Sequence, residues 1–254
     1  KYGSPIYCYS NKRLVENIIN FKNSFKSFSP LICFSVKSNY NSVILRIIKE
    51  HGLGADVVSD GELKKVLSLG FKPNKIVYSG VGKKFEELRF AISKNILLIN
   101  VESESELKNI QKLAKKFRKI VSVGLRLNPN IDAKTNTKIS TGRMQDKFGL
   151  NSSDIISILN KFKNSRNIKI KCLSVHIGSQ ITQNKPYNNV LLAINKILSK
   201  SKYKFEYIDL GGGMGIKYIK DSKKLDYSKL SKNIYKFSKK NNCKIIFEPG
   251  RSIV

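Results

Sequence analysis

The stretch IKCLSVHIG, residues 170–178, is an apolar and β-branched run that ends on a histidine and a glycine. Its composition predicts a buried β-strand, and His176 stands where that strand would end. Only two histidines occur in the 254 residues, so this position needs a reason. Taken alone, His176 could be a hydrogen-bonded core histidine or a flat ring that stacks on a ligand.

Seven other short apolar runs share this form, and helical stretches separate them. They are LICFSVK (31–37), LGADVVS (53–59), KIVYSGV (75–81), NILLINVE (95–102), IVSVGLRLN (120–128), YIDLGGG (207–213) and KIIFEPG (244–250). The stretches between them, such as SVILRIIKEHG and NNVLLAINKILSK, have the spacing of amphipathic helices. Eight strands that alternate with helices in about 250 residues predict an α/β fold, a TIM-type (β/α)8 barrel. A doubly wound open sheet is the alternative.

Polar side chains or glycines stand at the end of most of these runs. The set comprises Lys37, Asp56, Ser79, Glu102, Arg126, His176, the glycines 211–213, Glu248 and Arg251. In a barrel the strands end together at one mouth, where catalytic groups gather. This placement favours the barrel over the open sheet, and it predicts a ring of functional groups around that mouth.

The chain carries a formal net charge of +30, from 48 Lys and Arg against 18 Asp and Glu. Such a charge suits nucleic acid or an anionic membrane, but the lysines are spread over nearly every predicted helix. We therefore predict no specific nucleic-acid partner. No run approaches the ~20 apolar residues of a membrane helix, so no membrane association is predicted. The four scattered cysteines indicate reduced thiols and a cytoplasmic location, and no metal site is predicted.

Three strand ends suggest a specific chemistry. Burial of Lys37 would lower its pKa and suit it to form a Schiff base, unless its head simply reaches solvent. The glycines 211–213 follow the seventh run, where barrels commonly bind phosphate, although such a run can also be an ordinary turn. Glu248 could hold the protonated ring nitrogen of pyridoxal 5'-phosphate (PLP), or pair with Arg251 as a structural cap.

Seven motifs, in one order from end to end, carry a resemblance to a known family. They are YGSPIYCY (2–9), FSVKSNYN (34–41), GLGADVVSDGEL (52–63), KISTGRMQDKFGL (138–150), SVHIGSQI (174–181), DLGGGMGI (209–216) and FEPGR (247–251). In these motifs the chain resembles the diaminopimelate decarboxylases. These are fold-type III PLP-dependent enzymes, related to ornithine and arginine decarboxylases.

The resemblance implies a role for each strand-end residue. Lys37 would hold PLP as a Schiff base, His176 would stack on its ring, and Glu248 would pair with the ring nitrogen; these three are the implied catalytic residues. Arg251 would lie where the family binds the distal carboxylate of the substrate or the phosphate. The implied cofactor-binding set is Lys37, Asp56, Arg126, His176, Ser179, Gly211, Gly212, Gly213, Glu248, Gly250 and Arg251.

The implied reaction is decarboxylation of meso-2,6-diaminopimelate to L-lysine and CO2, the last step of lysine biosynthesis. Residues 11–254 are expected to form the PLP-binding barrel, cut before its last helix, and residues 1–10 a strand that pairs with a C-terminal β domain. The resemblance implies that this chain lacks that domain, which in the family supplies further substrate contacts and much of a homodimer interface. The chain alone is therefore expected to be inactive.

Three alternatives stay open at this point. The first is a decarboxylase of another basic amino acid, such as ornithine, arginine or carboxynorspermidine. The second is a PLP-binding barrel without turnover, which would lack the β domain by nature. The third is a basic nucleic-acid binder, whose retention on duplex DNA would depend steeply on salt.

Overall fold

Eight parallel strands close into a barrel in chain order, so that β1 pairs with β8. This computed structural model describes residues 2–133, 139, 141–143, 145–146, 148–218 and 225–254. The strands are β1 (Leu31–Ser35), β2 (Gly54–Val57), β3 (Ile76–Tyr78), β4 (Leu98–Val101), β5 (Val121–Leu127), β6 (Ile168–Val175), β7 (Tyr207–Asp209) and β8 (Lys244–Phe247). The predicted (β/α)8 barrel is confirmed, and the pairing of β1 with β8 excludes the open sheet.

Helices cover the outside of the barrel in the described part of the chain. They are α1 (Asn11–Ser24), α2 (Ser42–Glu50), α3 (Asp60–Ser68), α4 (Phe85–Ser93), α5 (Glu104–Lys116), α6 (Ser152–Phe162), α7 (Asn184–Ser201) and α8 (Tyr227–Asn241). The sequence predicts all of them except α1. The sequence nevertheless contains the pattern of this helix, because Leu14, Ile18 and Phe21 recur at helical spacing and are the residues that α1 buries.

The inside of the barrel has an apolar layer and a polar layer. Side chains alternate along a strand, so every second residue faces inward. The apolar layer is a cluster separate from the core under the helices and consists of Cys33, Val77, Leu98, Cys172 and Ile246. Two residues further along each of these strands the inward side chain is polar, and these form the polar layer: Ser35, Ser79, Asn100, Ser174 and Glu248. The change from apolar to polar side chains happens at the mouth of the barrel.

Two helices begin with the same capping arrangement. Ser59 accepts a hydrogen bond from the Glu62 backbone at the start of α3, and the Glu62 carboxylate accepts one from the Val58 amide, at 3.2 and 2.8 Å. Ser103 and Glu106 repeat this pattern at the start of α5, with the Glu102 amide as the second donor. Because each cap reaches back to the preceding strand end, it fixes the chain where β2 and β4 reach the mouth.

The remaining predictions about the chain as a whole concern its first residues and its cysteines. Residues 2–10 lie in neither a helix nor a strand, and their pairing with a further domain stays a prediction. All four cysteines are free; Cys33 and Cys172 are buried, Cys243 is partly buried and Cys8 is exposed. In the part of the chain that the structure describes, none of the helices has the length and apolar character needed to cross a membrane.

Candidate active site

A cavity of about 320 Å³ opens at the C-terminal mouth of the barrel. It brings together four residues of the predicted cofactor-binding set, namely Lys37, Arg126, His176 and Glu248, and it also contains Ser79 of the predicted ring. The complete lining is Lys37, Val58, Ser79, Gly80, Val81, Arg126, Thr141, Phe148, Ser174, Val175, His176 and Glu248. Most of these residues end or follow strands, as the placement of polar residues in the sequence predicts.

Lys37 lies in a short 3-10 turn, Val36–Ser38, that follows β1. Its Nζ donates to Asp56 Oδ2 at 3.3 Å, and Ser35 Oγ donates to the same oxygen at 2.8 Å. The carboxylate of Asp56 raises the pKa of Lys37, and burial opposes this. The predicted lowering of the Lys37 pKa is therefore wrong, because a carboxylate from the neighbouring strand outweighs the loss of solvent.

His176 follows β6, and the loop after β7 packs against its ring. The Gly212 amide donates to His176 Nδ1 at 3.3 Å, so the neutral ring carries its proton on Nε2. Burial lowers the pKa of His176 well below its usual value, and the positive charges of Lys37 and Arg126 lower it further. The imidazole is therefore an uncharged flat ring at neutral pH, as stacking on another ring requires.

The glycines 211–213 pack so closely against neighbouring loops that side chains would not fit. A Cβ at Gly211 would come within 2.7 Å of the His176 ring, one at Gly212 would overlap the Glu248 carbonyl oxygen, and one at Gly213 would overlap the Gly178 carbonyl oxygen. Gly211 and Gly213 also have positive φ angles of 63° and 85°. The loop therefore brings backbone rather than side chains close to His176 and Glu248, as a phosphate cradle requires.

Glu248 is buried at the end of β8 within a polar network. Ser79 Oγ donates to Glu248 Oε1 at 3.3 Å, and Asn100 Nδ2 donates to Ser79 Oγ at 3.1 Å. Asp209, at the end of β7, is hydrogen-bonded to Glu248 and accepts from Asn100 Nδ2 at 3.3 Å. Burial raises the pKa of Glu248 well above its usual value, and the charges of Asp209 and Asp56 raise it further.

Arg126 lies on β5 and is paired with a carboxylate inside the mouth. Its Nη1 is 2.6 Å from Glu102 Oε1, and its guanidinium lies 4.7 Å from the centre of the Phe148 ring. The second oxygen of Glu102 accepts from the Gly149 amide at 2.8 Å. This pair therefore connects the barrel to the segment that precedes α6.

Seven residues of the predicted cofactor-binding set do not line this cavity: Asp56 and the glycines 211–213, described above, and Ser179, Gly250 and Arg251. The Ser179 amide donates to the Ile139 carbonyl oxygen at 3.1 Å. Gly250 packs against Ser38, where a Cβ would meet that side chain at 3.0 Å. Arg251 contacts Tyr218 and lines a different cavity beside α1. Their roles in cofactor and substrate binding stay predictions, and residues 138, 140, 144 and 147 of the KISTGRMQDKFGL motif lie outside the described residues.

The sequence interpretation missed Asp209 and Asn100, both 1% exposed. Asp209 belongs to a quoted motif, DLGGGMGI, but received no role. The usable signal was an acidic residue inside an apolar run, two residues before the glycines, because buried carboxylates are rare without a partner. The Asn in the run NILLINVE, which is Asn100, carried a similar signal.

The residues at this mouth fit PLP, which needs an amine for its aldehyde, a flat neighbour, an acid at its ring nitrogen and backbone donors for its phosphate. Lys37, His176 and Glu248 supply the first three from one cavity. The tight loop of glycines 211–213 supplies backbone beside them. The buried Asp56 Oδ1 also has no hydrogen-bond partner among the described residues, which leaves an acceptor next to Lys37.

Comparison with known proteins agrees with this fit. Residues 11–254 match the family described as pyridoxal-dependent decarboxylase, pyridoxal binding domain. The chain is 38% identical to diaminopimelate decarboxylase of Zymomonas mobilis and 37% identical to that of Neisseria meningitidis, with all of this chain covered. A crystal structure of diaminopimelate decarboxylase from Helicobacter pylori complexed with L-lysine is 35% identical and superposes on the whole chain with a TM-score of 0.95.

The chain is shorter than the proteins that it matches. It spans 62% and 63% of the two curated relatives and 65% of the Helicobacter pylori chain. The match nevertheless covers every strand of the barrel and every residue that lines the cavity. The chain therefore belongs to the pyridoxal-dependent decarboxylases, and residues 11–254 correspond to the pyridoxal-binding domain of that family.

Proposed function

We propose that this chain is the cofactor-binding barrel of an enzyme that decarboxylates meso-2,6-diaminopimelate to L-lysine and CO2. The observation that carries the proposal is the meeting of Lys37, His176 and Glu248 in one cavity at the mouth of the barrel. Relatives named diaminopimelate decarboxylase, at 35–38% identity over the whole chain, support this substrate over ornithine or arginine. The complete enzyme would act as a homodimer on a small amino-acid substrate.

Each residue of the cavity has a distinct task in this proposal. PLP, when bound, withdraws electrons from the α-carbon of an amino acid, so that CO2 can leave. Lys37 would hold its aldehyde group, His176 would lie on the face of its ring, and Glu248 would face its ring nitrogen. The loop of glycines 211–213 would lie beside its phosphate, with Ser179 and Arg251 nearby.

The contacts of Lys37 prepare it for this task. Asp56 accepts a hydrogen bond from Nζ and favours its ammonium form, and Ser35 donates to the same carboxylate oxygen. Lys37 must lose a proton before its nitrogen can form a covalent bond, since only the free amine is a nucleophile. Asp56 is the acceptor within hydrogen-bond distance of that proton.

Covalent labelling tests the role of Lys37. The protein is mixed with PLP, reduced with borohydride and digested, and the labelled lysine is located by mass spectrometry. We expect label on Lys37, and none after Lys37→Ala with an unchanged far-UV circular dichroism spectrum. Lys64→Ala, which removes an exposed lysine of α3, is the control and should label as the unmodified protein does. A Lys37→Ala protein that still turns yellow with PLP and still becomes labelled on reduction with borohydride would overturn the assignment.

Turnover by the full-length enzyme tests the substrate. CO2 release is measured with meso-2,6-diaminopimelate, ornithine and arginine at equal concentrations, and L-lysine is quantified as the product. We expect release from diaminopimelate alone. Release from ornithine or arginine instead would assign another basic amino acid. Label on Lys37 without release from any of them would make the protein a PLP carrier.

A further inference from the structure

Asp209 and Glu248 form a buried carboxyl pair beside the cavity. Asp209 ends β7 and is 1% exposed, and Glu248 follows β8 and is 7% exposed. The two side chains are hydrogen-bonded to each other. Two carboxylates in contact cannot both be ionised at low cost when buried, so the pair holds one proton between them near neutral pH.

The hydrogen bonds around the pair have a fixed direction. The amide nitrogen of Asn100 can only donate, and it donates to Ser79 Oγ and to Asp209 Oδ2. Ser79 therefore directs its own proton to Glu248 Oε1. The Gly211 amide donates to Asp209 Oδ1 at 2.9 Å.

The two carboxyl groups consequently differ in the number of donors that they receive from their surroundings. Asp209 accepts one hydrogen bond on each oxygen, whereas Glu248 accepts one from Ser79. Hydrogen bonds from neutral donors favour the ionised form of a carboxyl group, so the negative charge rests on Asp209 and the proton on Glu248. In agreement, burial raises the pKa of Asp209 only to about 6, and that of Glu248 well above its usual value.

Other titratable groups face the pair from the neighbouring strands. Lys37 beyond β1 is positive and Asp56 on β2 is negative, and these two adjacent charges largely offset each other at Glu248. The thiols of Cys33 on β1 and Cys172 on β6 lie below, and burial raises the pKa of both. Both thiols are therefore neutral, and the charge of the pair is set by its own proton.

We propose that Asp209 is a positioning residue that keeps this proton on Glu248 until PLP binds, when Glu248 would release it and face the protonated ring nitrogen as a carboxylate. The inference rests on the proposed function, which brings PLP to this cavity. Because the ring nitrogen of free PLP already carries a proton at neutral pH, the O–H bond of Glu248 would break and its proton would leave to solvent. Asp209 would stay negative and Glu248 would become negative, opposite the positive ring nitrogen that PLP brings.

Infrared spectroscopy of the full-length protein without PLP tests where the proton lies. At pH 7 we expect the carbonyl stretch of a protonated carboxylic acid. Carbon-13 labelling of glutamate carboxyl groups should shift this band, and labelling of aspartate carboxyl groups should not. No band, or a band that only aspartate labelling shifts, would overturn the proposal without any variant having to fold.

Asp209→Asn tests the role of the second carboxyl. An amide at this position can donate to Glu248, so Glu248 should ionise and the acid band should disappear, as it should in Glu248→Gln. Glu86→Gln, which changes an exposed carboxyl of α4, should keep the band. Persistence of the band in Asp209→Asn would contradict a positioning role for Asp209.

Proton release on PLP binding gives a second measurement. Calorimetry in two buffers of different ionisation enthalpy counts the protons exchanged with solvent. Since Glu248 is already ionised in Asp209→Asn, that variant should release about one proton fewer per PLP than the unmodified protein. Equal release would count against a proton held on Glu248. Failure of PLP to label Lys37 would refute the proposed function, whereas a missing acid band with Lys37 labelled would refute this inference alone.

Discussion

Gly212 occupies a position where no side chain larger than a hydrogen atom fits. Its amide hydrogen-bonds the His176 ring, its carbonyl oxygen accepts from Tyr187 at 2.8 Å, and a Cβ would overlap the Glu248 carbonyl oxygen. The residue thus connects the loops after β6, β7 and β8. Any side chain at this position would push these loops apart at the point where PLP would bind.

Gly212→Ala should weaken both stability and cofactor binding. We expect a loss of roughly 1–3 kcal/mol in the free energy of unfolding, because the added methyl group overpacks a buried contact. PLP affinity should fall in parallel, as measured by titration of the visible absorbance. Gly61→Ala on α3 is the matched control, since its Cβ would meet only the Ser59 hydroxyl at 3.8 Å. A variant as stable and as tight-binding as the unmodified protein would contradict the close packing.

The sequence predicted where the residues of the candidate site lie, but it did not predict the contacts that surround them. The ends of the apolar runs identified Lys37, His176 and Glu248, because strand termini can be located from hydrophobic patterning. The direction of the Lys37 pKa shift and the role of Asp209 depend on contacts between strands that are 19 and 39 residues apart along the chain. Such contacts follow from the closure and register of the barrel, which a pattern along one chain does not contain.

At the level of the elements, Lys83 connects β3, β4 and α5. Its side chain is 1% exposed, and Nζ donates to the carbonyl oxygens of Gly80 and Asn100 and to Glu106 Oε1, at 2.6, 2.7 and 2.8 Å. Gly80 lines the cavity, so this ion pair holds one wall of the candidate site. The same Glu106 carboxylate also caps the segment before α5.

Lys83→Met should destabilise the protein strongly because it leaves the buried Glu106 carboxylate without its charge partner. We expect a loss of roughly 3–5 kcal/mol in chemical denaturation. The double variant Lys83→Met with Glu106→Gln removes both charges and should recover part of that loss. Lys64→Ala, which breaks an exposed pair with Asp60, should have a much smaller effect. Equal effects of the two lysine substitutions would show that burial of the pair is unimportant.

The elements themselves were largely predictable from sequence. Seven of the eight apolar runs contain a whole strand, and the run 170–178 contains all of β6 except its first two residues. Each run extends beyond its strand because the polar end leaves the sheet as a loop. The helix α1 was missed because it precedes the first strand and so lies outside the alternation that guided the other assignments. Its N-cap, Ser10, accepts a hydrogen bond from the Arg13 amide and was available as a start signal.

For the whole molecule, the carboxyl pair predicts a dependence of stability on pH. Burial raises the pKa of Asp209 from 3.8 to about 6, so the folded state binds this proton more tightly than the unfolded state. The stabilisation is fully present below pH 3.8 and is lost as the pH rises through about 6. Glu248 has the same sign, with a pKa raised further.

Asp209→Asn should therefore flatten the stability profile between pH 3.8 and about 6. The difference across this interval should be on the order of 2–3 kcal/mol, measured by chemical denaturation at a series of pH values. Glu86→Gln should leave the slope unchanged, because that exposed carboxyl is 68% accessible. Parallel profiles for Asp209→Asn and the unmodified protein would rule out a raised pKa at this pair.

Mutations in the apolar layer and in the polar layer of the barrel should have different consequences. In the apolar layer, changes at Cys33, Val77 or Leu98 act on folding; two residues later, changes at Ser35, Ser79 or Asn100 act on the chemistry of the mouth. Substitutions in the polar layer can therefore change the chemistry of the mouth while the apolar layer, which supports the barrel, stays the same. Because side chains alternate along a β-strand, positions that can vary and positions that must be kept lie two residues apart on the same strands.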